Sequence, residues 1–159
     1  MSHSLDQTDI TILNHLQEHG RAQRNTIAEI VHLSVPSVSE RMRKLEERGL
    51  IQSYSAILDA KKFNFDITAF IFAEVDGSDN YPKFVERVIK LPEVLECHSI
   101  TGDGSHILKM RTRNTESFEK FLSKIQSWSG VKRTRSNIVL SSFKETRSLP
   151  VETVIETDK

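Results

Sequence analysis

The segment TGDGSH, residues 101–106, brings together residue types that could do chemistry. Two glycines flank an aspartate, and a serine and a histidine follow. Such a segment could hold a phosphate, carry a nucleophile with its base, or bend the chain beside a small ligand. The segment alone does not choose among these, so the elements around it must decide.

Two of the three possibilities fit the sequence poorly. A phosphate-binding P-loop needs a following helix and a lysine, and this segment has neither. Ser105 and His106 are neighbours on a predicted strand, so we expect their side chains to point to opposite faces rather than meet as nucleophile and base. The sequence therefore predicts no catalytic residue.

The segment is also a poor metal site and a good turn. Cys97, His98 and His106 are too few for a metal site and lack ligand spacing, so we predict no metal and no cofactor. Gly102 and Gly104 can supply the positive φ angles of a hairpin turn. A bend beside a ligand remains.

A second group of polar residues has the chemistry of DNA recognition. In VPSVSERMRKL, the apolar positions Val38, Met42 and Leu45 share one helical face. Basic and hydroxyl side chains occupy the rest and suit phosphate or base contacts. We predict DNA contacts from Arg24, Ser34, Pro36, Ser37, Ser39, Arg41, Arg43 and Lys44. The alternative is a solvated charged face, because glutamates are interspersed.

Arg41 is the most specific of these predictions. It projects away from Val38 and Met42, so we expect DNA to be its partner and its replacement by alanine to leave stability unchanged.

Three short predicted helices position these side chains. The first begins at Asp6 as N-cap and stops at Gly20, and the second covers about residues 24–31. The third begins at Ser34 and ends at Gly49, and His32 occupies the turn where positive φ is needed. This is helix-turn-helix spacing. The next segment, GLIQSYSAIL, predicts a strand, as a wing or a connector.

From residue 66 the pattern becomes β-α-β-β-α-β, which is ferredoxin-like. The predicted strands are ITAFIFAEV, VLECHSI, HILKMRT and RSNIVLSSF, and the predicted helices are NYPKFVERVIKL and TESFEKFLSKIQSW. The fold class is therefore α+β. We predict a winged helix-turn-helix domain over 1–52, a linker strand or hinge over 53–65, a ferredoxin-like regulatory and oligomerisation domain over 66–149, and a tail over 150–159.

The first strand of this domain also predicts an interface. Phe70 and Phe72 lie on the face opposite Ala69 and Ile71, and two helices can cover only one face of a four-stranded sheet. A second copy is the simplest cover, so we predict a dimer through Phe70 and Phe72. The alternative is a monomer with two half-exposed aromatic rings.

Composition argues against a membrane or secreted protein, and the net charge gives no support to DNA binding by itself. The chain has 159 residues, zero formal net charge and one cysteine. No apolar run could span a bilayer, the N-terminus lacks a signal peptide, and we expect a cytoplasmic protein with no membrane partner. Residues 1–59 hold six basic and eight acidic residues, a net charge of −2. Positive charge must therefore be placed locally, and several copies would bind together.

The chain resembles the leucine-responsive regulatory protein/asparagine regulator (Lrp/AsnC) family of transcription factors over nearly its full length. The resemblance rests on LDQTDITILNHLQEHGR, LSVPSVSERMRKLEERGLIQSY, LPEVLECHSITGDGSHILKM and GVKRTRSNIVLSSFKETRSLP. It implies DNA binding, dimers that often stack into octamers, and regulation by amino acids.

The resemblance also gives the opening segment a role. It implies an effector pocket bordered by Thr101, Gly102, Asp103, Gly104, Ser105 and His106. The family's usual pattern is a glycine, an acidic residue, an aromatic, an aspartate and another aromatic. Here Gly104, Ser105 and His106 replace the last three, which predicts a wider, less negative site that favours a larger or more polar amino acid than leucine.

We therefore predict a sequence-specific DNA-binding regulator modulated by an amino acid or related metabolite. One alternative is a ligand-independent, DNA-organising regulator with a vestigial pocket. Another is an enzyme, because siroheme decarboxylases resemble this family; such an enzyme would bind a tetrapyrrole and absorb visible light.

Overall fold

The computed structural model describes residues 5–102 and 104–152. The chain divides into two compact units, one formed by residues up to Ile57 together with those from Glu145 onward, and one formed by Leu58–Lys144. The helices and strands are α1 (Gln7–Glu18), α2 (Arg24–Val31), α3 (Val35–Glu47), β1 (Ile67–Val75), α4 (Tyr81–Val88), β2 (Val94–Ser99), β3 (His106–Thr112), α5 (Thr115–Gln126) and β4 (Val131–Ile138), with short 3₁₀ helices at Ala60–Phe63 and Ser78–Asn80.

The first unit contains the predicted helix-turn-helix. Asp6 and Asp9 form a capping box at the start of α1, and Ser34 caps α3 by accepting from the Ser37 N–H. His32 has a φ of 53°, so the left-handed turn residue predicted from the sequence is confirmed. The buried core of this unit consists of Ile12, Leu16, Ile27, Ala28, Val38, Met42 and Leu45.

The second unit has the predicted βαββαβ order and an antiparallel sheet with strand order β2-β3-β1-β4. Alternate residues of β1 and β3, including Ala69, Ile71 and Leu108, are fully buried. They pack with buried side chains of α4 and α5, among them Phe84 and Ile125. Both helices therefore cover one face of the sheet, and the face carrying Phe70 and Phe72 receives neither.

The strand predicted over GLIQSYSAIL does not form within this single chain. Within the described residues, no strand forms between Gly49 and Asp59. A strand needs a hydrogen-bonded neighbour, and this segment pairs with none here. The Tyr54 hydroxyl instead donates to Glu46 Oε1 (2.9 Å). Burial and this bond raise the pKa of Tyr54 to about 12.

The last strand lies four residues earlier than predicted. β4 pairs with β1 from Val131 to Ile138, whereas the sequence predicted a strand over residues 135–143. The start of this strand was not predicted because its apolar alternation is interrupted by Lys132, Arg133 and Arg135. Charged side chains are common on an edge strand, where they discourage pairing with other chains.

Among the described residues, no helix has the length and apolar character required to span a bilayer.

Candidate DNA-binding surface and regulatory loop

The exposed start of α3 presents hydroxyl and apolar groups rather than charged side chains. Ser34, Pro36 and Ser37 are exposed there. The two hydroxyl groups are 2.8 Å apart, and Ser34 Oγ also accepts from the Ser37 N–H (3.3 Å). Val35, which was not among the predicted contacts, is 37% exposed at the first helical position. An exposed valine at the start of the helix suits contact with a thymine methyl group.

Arg41 has an intramolecular partner that the sequence analysis did not foresee. Its guanidinium donates to Asp6 Oδ2 (2.7 Å) and Asp9 Oδ1 (2.8 Å), the two residues that cap α1. The arginine side chain is 32% exposed and that of Asp9 only 13%. Arg41 therefore links α3 to α1, and its contact with DNA stays a prediction.

The contact shifts the pKa values of Asp6 and Arg41. Burial raises the pKa of Asp6, but the Asp9 N–H and Arg41 outweigh it and leave that pKa below its usual value. Hydrogen bonds to Asp9 and Asp6 raise the pKa of Arg41. The contact thus favours the charged forms of Asp6 and Arg41.

The other basic residues of α3 are neutralised along the helix itself. Arg43 binds Glu40 (2.6 Å) and also contacts Glu47, and Lys44 lies 3.6 Å from Glu40. These pairs are exposed, so they hold the side chains weakly and can exchange for phosphates. Of the two remaining predicted contacts, Arg24 is exposed at the start of α2 and Ser39 is half-buried.

Residues 101, 102, 104 and 105 lie in the predicted hairpin bend between β2 and β3. The Ile100 N–H donates to the Ser105 carbonyl (3.0 Å) and the Gly104 N–H to the Gly102 carbonyl (2.8 Å). The glycines have φ values of +98° and +129°, and Thr101 is exposed beside them. Asp103, the predicted acidic partner of a ligand, lies outside the described residues.

Two main-chain N–H groups of this loop are already hydrogen-bonded within the chain. The Ser105 N–H donates to the Ala73 carbonyl (3.0 Å), and the Gly104 N–H is bound as above. Ser105 Oγ accepts from the Val75 N–H (3.1 Å) and lies 3.2 Å from the Ala73 carbonyl. Ser105 therefore holds the hairpin against the end of β1.

The prediction that Ser105 and His106 do not meet is wrong. Ser105 Oγ lies 2.9 Å from His106 Nδ1. The alternation of side chains applies within a strand, and Ser105 lies in the bend before β3 begins. Since the hydroxyl is already bound to the main chain of β1, this contact helps to hold the bend.

His106 belongs to the core rather than to the open side of the loop. It is fully buried, and its ring centroid lies 5.0 Å from that of Tyr81 and 4.9 Å from that of Phe84. Its Nε2 has no hydrogen-bond partner among the described residues, and burial lowers the pKa of His106. We expect a neutral imidazole that packs as an aromatic ring between sheet and α4.

The open face of the sheet is mixed rather than wholly apolar. Phe70 and Phe72 are half-buried and are paired across the sheet with Lys109 and Ile107. The Arg135 guanidinium lies 4.9 Å from the Phe72 ring centroid, a cation–π distance. Two aromatic rings thus lie among charged side chains, a composition also found in protein interfaces.

Two family models match the chain. Residues 5–52 match a winged helix-turn-helix DNA-binding model, and residues 68–149 match the Lrp/AsnC ligand binding domain. The HTH-type transcriptional regulator FL11 of Pyrococcus horikoshii is 36% identical over 93% of this chain and 97% of its own. The leucine-responsive regulatory protein of Escherichia coli is 32% identical over 94% and 93%. These relatives are regulators rather than enzymes.

Solved structures agree with this assignment. A transcriptional regulator from Neisseria meningitidis, in complex with L-Met, is 35% identical and superposes with a TM-score of 0.90 over 93% of this chain and 97% of its own. In the part of this chain that the structure describes, no three His, Cys, Asp or Glu side chains are grouped so that they could hold a metal ion.

Proposed function

This chain belongs to the Lrp/AsnC family of DNA-binding transcriptional regulators, and from that premise we propose that it binds DNA as a homodimer through the exposed start of α3. The observation that carries the proposal is the combination of a matched helix-turn-helix with a capped third helix whose first turn is exposed. In a helix-turn-helix, the first residues of the second motif helix reach base edges in the major groove.

Within this surface we assign different tasks to different residues. Ser34, Pro36, Ser37 and Val35 would contact base edges or methyl groups. Arg24, Ser39, Arg43 and Lys44 would hold phosphates, since exposed ion pairs exchange partners at small cost. Arg41 would mainly orient α3, because Asp6 and Asp9 already bind it.

We propose an amino acid as the effector, bound beside residues 101–106. Support comes from the match to the Lrp/AsnC ligand binding domain and from the L-Met complex of the Neisseria regulator. Asp103 would bind the ammonium group of the ligand, and Thr101 and Gly102 would lie beside the ligand. His106, being buried, would support the loop without touching the ligand.

We further propose that the protein is cytoplasmic and that its dimers assemble into octamers. Phe70 and Phe72 would form the dimer interface. Linked copies would compensate for the negative formal charge of residues 1–59, because binding of one helix-turn-helix raises the effective concentration of the next.

Fluorescence anisotropy with labelled upstream DNA tests the DNA-binding proposal. Ser37→Ala should weaken specific binding by about 1–3 kcal/mol if Ser37 reads a base. Glu18→Ala on α1 is the matched control and should leave binding unchanged. No specific binding by the wild type, or equal binding by Ser37→Ala, would remove this surface from the proposal.

Calorimetric titration with each of the twenty amino acids tests the effector. We expect binding of methionine or of a more polar amino acid, and its loss in Asp103→Ala. Equal binding by Asp103→Ala would show that another group holds the ammonium. If none binds at millimolar concentration while DNA still binds, the chain is a ligand-independent regulator; two hydrogen-bonded loop amides favour that second candidate.

A further inference from the structure

The C-terminal residues return to the helix-turn-helix unit and dock on α1. Residues 145–152, here called the C-terminal clasp, belong to the same compact unit as residues up to Ile57. Gln17 Nε2 donates to the Leu149 carbonyl (3.0 Å), and the Leu149 N–H donates to Gln17 Oε1 (2.6 Å). Asn14 Nδ2 donates to the Val151 carbonyl (2.9 Å). One glutamine amide thus satisfies both main-chain groups of one residue, as a neighbouring strand would.

The spacing of the polar residues on α1 fits the spacing of the main-chain groups that they bind in the clasp. Asn14 and Gln17 are three residues apart on α1 and so lie on one face of the helix. Leu149 and Val151 are two residues apart, so in an extended chain their main-chain groups point to the same side. Pro150, between them, has no N–H and points away, where its missing donor costs nothing.

The sequence also favours the docked conformation. A residue before proline is restricted to extended backbone, so Leu149 is held close to the conformation in which it binds Gln17. The contact is polar rather than apolar, because the Leu149 side chain is 68% exposed and only main-chain atoms of the clasp meet the amides. Recognition therefore depends on Asn14 and Gln17, both outside the buried core of this unit.

We propose that docking of the C-terminal clasp strengthens DNA binding. When the clasp is docked, two chain segments instead of one join the DNA-binding unit to the regulatory unit. The chain leaves this unit after Ile57 and re-enters it at Glu145. Two connections allow fewer orientations than one, so docking reduces the ordering cost when paired helix-turn-helix units bind DNA together. Release of the clasp lowers DNA affinity. This consequence rests on the proposed DNA-binding function; the docking itself does not.

Hydrogen exchange of the full chain tests the docking without reference to DNA. Gln17→Ala removes two of the three bonds and replaces glutamine by a better helix former, so α1 should remain folded. We expect the Leu149 amide to exchange about fivefold faster in Gln17→Ala than in the wild type, the effect of one lost hydrogen bond. Glu18→Ala, one residue along α1, is the control and should leave that rate unchanged. Equal exchange in wild type and Gln17→Ala overturns the docking, and protection that disappears on dilution assigns the clasp to a second copy.

DNA affinity tests the consequence. Gln17→Ala and a chain ending at Thr146 should both bind two-site DNA roughly 2- to 10-fold more weakly than the wild type and Glu18→Ala. Faster exchange with unchanged affinity overturns the role of the clasp in DNA binding. A wild type with a protected Leu149 amide and no affinity for any DNA supports the docking and instead counts against the proposed function.

Discussion

At the scale of single residues, Arg41 joins α3 to the cap of α1, so its loss should reduce stability. Its bonds to Asp6 and Asp9 are charged, and Asp9 is largely buried. Such bonds contribute more than exposed ion pairs, and we expect Arg41→Ala to lower the free energy of unfolding by about 1–2 kcal/mol. Urea denaturation of wild type and variant measures this difference.

Arg43→Ala is the matched control, because Arg43 binds only exposed glutamates of its own helix. Its effect on unfolding should be within about 0.5 kcal/mol. If Arg41→Ala were no more destabilising than Arg43→Ala, the contact with α1 would have no energetic importance and Arg41 would be available to DNA.

His106 should make stability depend on pH. Its burial lowers the pKa of the folded state below the reference value of 6.5, which we take for the unfolded chain. The unfolded state therefore binds a proton first as pH falls, and stability should be highest above 6.5 and decline below it until the folded-state pKa is passed. Guanidinium unfolding at neutral and at mildly acidic pH measures the decline.

His106→Phe isolates this effect, since it keeps an aromatic ring beside Tyr81 and Phe84 but cannot be protonated. The other histidines are the same in both proteins, so the difference between the two pH profiles belongs to His106. Parallel profiles would show that its charged form is solvated in the folded protein.

Residue-level features could be predicted from sequence where their cause is local. Ser34 and His32 were identified because a cap and a left-handed turn depend on the next few residues. The partner of Arg41 could not be identified, because Asp6 and Asp9 lie more than 30 residues away and meet it only through packing. The core position of His106 was missed because a polar residue next to two glycines suggested a ligand loop.

At the scale of elements, the hairpin between β2 and β3 depends on close approach as well as on backbone angle. A Cβ on Gly104 would lie 3.1 Å from the Ala73 carbonyl oxygen, whereas one on Gly102 would meet nothing within 4 Å. Both glycines have positive φ. Gly104→Ala should therefore destabilise by about 1–3 kcal/mol and more than Gly102→Ala. Thermal unfolding of both variants tests this order, and a larger loss from Gly102→Ala would show that contact with β1 is unimportant.

Element type was easier to predict than element position or pairing. Helices α2 and α3 and strands β1 and β3 follow the apolar period, which packing against a core imposes. The edge strand β4 does not follow this period, because an edge strand tolerates charged side chains. The segment before Asp59 was mispredicted because the residues of a segment do not show whether another strand is available to pair with it.

At the scale of the whole molecule, we propose that the open face of the sheet forms the dimer interface. Phe72 is the apolar side chain best suited to test this proposal, because it is half-buried on that face and lies outside the buried core of the unit. Phe72→Glu should therefore remain folded while its charge opposes burial against a second copy. We expect the wild type to be at least dimeric at micromolar concentration and Phe72→Glu to be monomeric by light scattering.

Ile89→Glu, at an exposed apolar residue just after α4, is the control and should stay dimeric. A monomeric wild type would contradict the interface. It would also remove the two-fold symmetry with which paired helix-turn-helix units reach half-sites one helical turn apart.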